Sequence, residues 1–120
     1  SLKYIKSNSY IIWENILKKS GWALKFVMEQ TPEICLIAVQ QNGYALEYVK
    51  EQTPEICLTA VRQNGTALQF VKEQTPEICL EAVRRNGNAL RYVRKQTPEI
   101  CMEAMKHDVY PYFSIQYIDL

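Results

Sequence analysis

With 120 residues, 48 % of them apolar, and a net charge of +1, the chain has the make-up of one ordinary globular domain. That balance excludes a global field attracting nucleic acid or an acidic membrane. Apolar runs of only a few residues exclude a bilayer-spanning helix, which needs about 20. No basic-then-apolar secretory leader opens the chain. Its first residue is Ser rather than Met, as expected of a sequence trimmed at its start or cut from a longer protein.

The phrase Gln-Thr-Pro-Glu-Ile-Cys begins at Gln30, Gln52, Gln74 and Gln96, a period of 22 residues. A period in this range predicts a stacked array. Taken in chain order, residues 1–8 match the second helix of an earlier unit and form a half repeat. Residues 9–30 form a degenerate repeat, with Ser9 in the place of Thr31, a helix starting near Tyr10, and Gly21 in the place of Gly43.

The repeat at 31–52 shows the grammar most clearly. Thr31 is a preferred helix N-cap, and Pro32 fits the first helical position. Glu33 complements the helix dipole. Ile34, Cys35, Leu36, Ala38 and Val39 spread over an arc of about 200° and are expected to face the core. Asn42-Gly43 stops the helix, with Gly43 expected in the left-handed C′ conformation. A second helix of about eight residues, Tyr44 to Glu51, buries Ala45, Leu46, Tyr48 and Val49 and turns Glu47 outward; it is short enough to be partly 3₁₀.

The repeats at 53–74 and 75–96 follow the same rule, with first helices from Pro54 and Pro76. In the terminal repeat and cap, 97–120, a helix starts near Pro98 and the pattern then breaks: Asp108-Val109 replaces Asn-Gly, and an aromatic tail runs from Tyr110 to Ile118. The tail is expected to cap the core, or else to mediate self-association. The fold class is therefore an all-α solenoid of helix-turn-helix units. A leucine-rich repeat is rejected, because the apolar spacing is helical and no Leu-x-Leu strand is present.

Cys35, Cys57, Cys79 and Cys101 recur once per repeat. Equivalent residues on stacked helices lie about 8–10 Å apart, too far for a disulfide, which needs Cα atoms within about 7 Å. They are expected to form a buried file of free thiols, which points to a reducing, cytoplasmic setting.

The string Gln-Thr-Pro-Glu-Ile-Cys-Leu-x-Ala-Val-x-x-Asn-Gly-x-Ala-Leu-x-Tyr/Phe-Val-Lys-Glu resembles a repeat family known only as a domain of unknown function. Its repeats are most abundant in proteins of giant amoeba-infecting viruses. The resemblance spans nearly all of residues 1–108 and implies a helical-repeat protein of viral type. It brings no catalytic residue and no ligand to place on positions here.

The residues themselves offer little to catalysis. His107, the single histidine, lies at an outward helix position, and no phosphate loop, Cys-x-x-Cys or His-Glu-x-x-His occurs. A non-catalytic scaffold without cofactor or metal is expected, binding a protein through outward positions that vary while the frame stays fixed. The residues expected to carry that contact are Tyr44, Glu47, Arg62, Gln69, Arg84, Arg85, Arg91 and Arg94.

The alternative is RNA binding through the basic segment 84–95, which holds Arg84, Arg85, Arg91, Arg94 and Lys95. Net charge by unit runs +3, −2, 0, +3 and −3 from the first 30 residues to the last 24, so no continuous basic rail accompanies that segment.

Overall fold

The Thr-Pro pairs start helices as their chemistry demands. In a computed structural model, which describes residues 2–107, with side chains from Tyr10 onward, α2 (Pro32–Gln41), α3 (Pro54–Gln63), α4 (Pro76–Arg85) and α5 (Pro98–Met105) all begin at proline. In each, the Thr hydroxyl accepts the N–H three residues on, at 3.2 Å. Proline also prevents the preceding segment from running helically into the new helix.

The opening helix lacks that stop. Tyr10 stands where the other repeats have proline, and α1 runs unbroken from Leu2 to Lys19. The boundary expected between a half repeat ending at residue 8 and a helix starting near Tyr10 therefore falls inside one helix.

The second element of each repeat is shorter than expected. It is a six-residue 3₁₀ helix: η1 (Gly21–Phe26), η2 (Gly43–Tyr48), η3 (Gly65–Phe70) and η4 (Gly87–Tyr92). The glutamine of the repeated phrase explains the early stop. Gln30 donates to Tyr48 O (2.8 Å) and accepts from Lys50 N–H (2.9 Å). Continued helix would need both groups for itself. Gln52 does the same to Phe70 and Lys72, and Gln74 to Tyr92 and Arg94.

Gly43 is not a left-handed cap. None of Gly21, Gly43 and Gly65 has the left-handed φ that would require glycine. A Cβ on Gly43 would lie 2.5 Å from the backbone oxygen of Ala60 in the next repeat; Gly21 and Gly65 meet Ala38 O and Ala82 O in the same way. The glycine is present because two backbones touch. Asn42 ends one helix and starts the next element: its N–H donates to Ala38 O and its Oδ1 accepts from Tyr44 N–H.

Each α helix packs on the next α helix and on the preceding 3₁₀ element, so two layers stack side by side along an array with extents of 62 × 22 × 17 Å. Among the described residues no strand occurs. One continuous core runs between the layers, and the set Ile34, Cys35, Ala38, Val39, Ala45, Leu46 and Val49 repeats in the units that begin at Thr53 and Thr75. Leu36, expected inside, is only half-buried at the core edge, as are Leu58 and Leu80. The four cysteines form the expected buried file and are all free. Residues 108–120, which hold the aromatic tail, lie outside the described residues.

Candidate functional site

The frame consumes its own polar groups. Besides the Thr and Asn caps and the Gln amides, each cysteine thiol turns to the glutamine Oε1 five residues before it, at 3.5 Å for Cys35, Cys57 and Cys79. Burial pushes all four thiols above the ordinary range; at Cys79 the nearby Arg94 charge pulls weakly the other way. Raised, buried thiols are poor nucleophiles. Among the described residues no three His, Cys, Asp or Glu side chains converge as metal ligands would.

The variable positions lie in the last turns of the α helices and on the 3₁₀ elements or just after them. At the C-terminal ends of the α helices, Arg62 Nε lies 3.2 Å from Glu81 Oε1, and Arg84 Nε lies 3.2 Å from Glu103 Oε1. Both pairs join one repeat to its successor. Arg85 Nε stands 3.9 Å from Glu81. Burial pushes the Glu103 carboxyl up, but hydrogen bonds from Arg84 and His107, with Lys106 nearby, outweigh it and hold the group below its ordinary range. His107, expected to be solvated, is half-buried, and its carbonyl accepts from Gly87 N–H at 2.9 Å.

The basic segment does not come together. Arg84 and Arg85 end α4, whereas Arg94 and Lys95 stand near its beginning, beside Pro76. Nine residues of helix separate those ends by about 13 Å. Arg94 is committed to structure, donating to Lys72 O (2.8 Å) and Val71 O (2.9 Å) of the preceding repeat. Arg91 is exposed and lies over the Tyr92 ring at 5.4 Å.

Tyr44 meets Phe70 edge-on at 5.7 Å, and its hydroxyl hydrogen-bonds Thr66 Oγ1. Gln69 is exposed and bonds locally to Thr66 O, and Glu47 is exposed on η2. Trp22 and Lys25, which also stand at varying positions, form a cluster with Phe26: the rings stand edge to face at 6.1 Å, with Lys25 Nζ 5.0 Å from each. The run Trp22-Ala-Leu-Lys25-Phe26 carried that signal.

At the opposite edge, where the α helices begin, three equivalent notches open between successive repeats. The first is lined by Gln30, Pro32 and Cys35 with Lys50, the second by Gln52, Pro54 and Cys57 with Lys72, and the third by Gln74, Pro76 and Cys79 with Arg94. Their volumes are about 320, 190 and 250 Å³. Sequence reasoning missed them because their lining is the unvarying frame.

Paired short helices stacked in register along an extended array define a helical-repeat solenoid. The chain belongs to the family described as Domain of unknown function (DUF4116), which it matches in four overlapping stretches, residues 2–53, 31–75, 53–97 and 75–120. Those stretches advance by about one repeat at a time. No curated protein and no solved structure matches the chain.

Proposed function

We propose that this chain is a non-catalytic scaffold that binds a protein partner through the exposed residues that differ from one repeat to the next. One observation carries the reading. The unvarying Thr, Asn and Gln residues are spent on capping and stapling the array, while Glu47, Gln69, Arg85 and Arg91 sit exposed on a frame that does not change. A rigid frame with an interchangeable surface is the working principle of repeat-protein recognition. The file of buried, unbridged thiols supports a reducing compartment. Among the described residues no helix is long and apolar enough to cross a membrane.

The RNA reading is the weaker one. A phosphate rail needs cations aligned along one edge, and the basic segment is divided between two, with Arg84 facing Glu103 and Arg94 turned to backbone carbonyls. The test is affinity capture with the double variant Arg84→Glu, Arg91→Glu, both exposed positions. A bound protein lost by the variant, with the fold retained by circular dichroism, is the expected result. A partner set identical for the two proteins refutes the reading. Single-stranded RNA binding that weakens steeply with salt would replace it with the alternative.

A further inference from the structure

We propose that the array self-associates head to tail, the exposed face of α1 and η1 in one copy docking against the exposed face of α5 in a second copy. The inference goes beyond the protein-partner reading. It concerns the two ends of the array rather than the positions that vary along it, and the occupant is the chain itself.

Each end exposes side chains that a neighbouring repeat covers elsewhere. Ile34, Ile56, Ile78 and Ile100 hold one place in four repeats and are all buried. Ile12 holds the same place in α1 and is 58 % exposed. Ile100 is covered although α5 is the last described helix, so cover at this place comes from the preceding repeat. Ile16, in the place of buried Ala38, and Phe26, in the place of half-buried Tyr48, are exposed for the same reason. The converse holds at a second place. Leu17, Val39, Val61 and Val83 occupy it and are fully buried, Leu17 already in the first helix, so cover there comes from the following repeat. Met105, next in that series, is 55 % exposed. Met102 is 63 % exposed where Leu36, Leu58 and Leu80 are half-buried. The opening end thus presents the face a preceding unit covers, and the closing end the face a following unit covers. Apolar faces of this kind mark contact surfaces, and repeats are built to contact their neighbours.

Charge and side-chain size select a second copy in this orientation. Residues 1–30 carry five Lys and two Glu, +3, and residues 97–120 carry one Lys, two Glu and two Asp, −3. Like ends therefore repel and unlike ends attract. Lys18, Lys19 and Lys25 of the basic end are exposed. The joint between copies is wider than an interior one. Interior joints close a glycine onto a backbone oxygen, as Gly43 meets Ala60 O, whereas Val109 follows α5 in the glycine's place. The end side chains are larger to match: Ile16 stands for Ala38, Met102 for Leu80 and Met105 for Val83. Methionine in particular fills irregular gaps. A contact between unlike faces leaves one face of each kind open, so it propagates along a row of copies rather than stopping at a pair. The transverse extents of 22 × 17 Å make the end face small beside the about 800 Å² per partner of a standard interface. Association is accordingly weak and depends on concentration.

The test is sedimentation equilibrium of the 120-residue chain from about 10 µM to about 1 mM. Its mean mass should rise with concentration past that of a dimer. Two double variants block one end each: Ile12→Glu with Ile16→Glu at the opening end, and Met102→Glu with Met105→Glu at the closing end, all at exposed positions. Each alone should associate roughly tenfold more weakly or worse. Mixed in equal amounts, the two should form a heterodimer and nothing larger, because each keeps one working end. Far-UV circular dichroism confirms both folds, and recovery in the mixture confirms them again. Gln69→Lys, exposed in the middle of the array, should leave association unchanged. A parent that stays monomeric throughout, a blocked end without effect, or a mixture that stays monomeric overturns the proposal. So does a closing-end variant that still dimerises while the opening-end variant does not, since that is a pairing of like ends.

Discussion

Replacing Gly43 with alanine separates two accounts of why the repeat contains glycine. If Gly43 were a left-handed cap, asparagine would be the best-tolerated substitute, because it enters that conformation more readily than alanine. The structure gives a different reason: an added Cβ would sit 2.5 Å from Ala60 O, 3.0 Å from Gln63 Oε1 and 3.3 Å from Asn64 Cβ. The first neighbour is backbone and cannot swing aside, so the two repeats must separate. Overpacking of this kind costs about 1–3 kcal/mol. Displacing Gln63 also weakens its 2.6 Å bond from Gly43 N–H, worth roughly 1 kcal/mol. Loss of unfolded-state freedom offsets about 0.4–1 kcal/mol. The net expectation is a destabilisation of about 1–3 kcal/mol, a sizeable share of a typical 5–15 kcal/mol. Urea denaturation followed by circular dichroism measures it. Asparagine at Gly43 should be at least as damaging as alanine, since it is larger. An alanine variant as stable as the parent, or an asparagine variant more stable than the alanine one, would refute the close-approach account.

Further outcomes follow from the same contacts. Gln52→Ala should cost about 2 kcal/mol in urea titrations, because Phe70 O and Lys72 N–H both lose their partner; Gln52→Glu, which keeps only the acceptor, should fall between. Burial raises the four thiols, so their folded pKa lies above the unfolded one. That contribution is complete below about pH 8.5 and is lost as pH rises through the folded values. A variant with all four cysteines changed to alanine should therefore lose less stability between neutral and alkaline pH than the parent, and equal losses would count against the assignment. The Glu103 carboxyl is shifted the other way, below its ordinary range. Its stabilisation is present above the ordinary carboxylate pKa of about 4.3 and disappears as pH falls through the lower folded value. Acid titration of Glu103→Gln against the parent should show a shallower decline for the variant.

What the residues disclosed in advance was local. Thr31-Pro32-Glu33 is a helix start on chemistry alone, and the apolar spacing of Ile34, Cys35, Ala38 and Val39 marks a buried stripe without any neighbour in view. The features that escaped reading belong to the interval between repeats. Gln52 looks like an idle polar residue until its amide is seen to reach backbone groups 18 and 20 positions ahead. Gly43 has its reason in a carbonyl on the following helix, and the same Gln that reaches across repeats cuts the second helix to six residues. Of the candidate site, only exposure was legible: Glu47, Gln69, Arg85 and Arg91 are exposed, but Arg84 and Arg85 stand at the end of α4 and Arg94 and Lys95 near its beginning. One signal was there to be used: Arg62 with Glu81 and Arg84 with Glu103 share a separation of 19 residues, while the equivalent Gln40 and Thr59 are both neutral.

Because the Gln30, Gln52 and Gln74 amides all reach forward by the same interval, the array has a direction and a quantum of length. Removing any 22 consecutive residues from the interior leaves a Gln, a Gly and their recipients at the proper separation, and the junction heals. Removing 21 or 23 puts the glutamine opposite the wrong carbonyl at one seam and the glycine opposite a side chain. Such a chain can lengthen or shorten only in whole tiles, by tandem duplication or loss of the underlying coding segment, with no redesign of the joints.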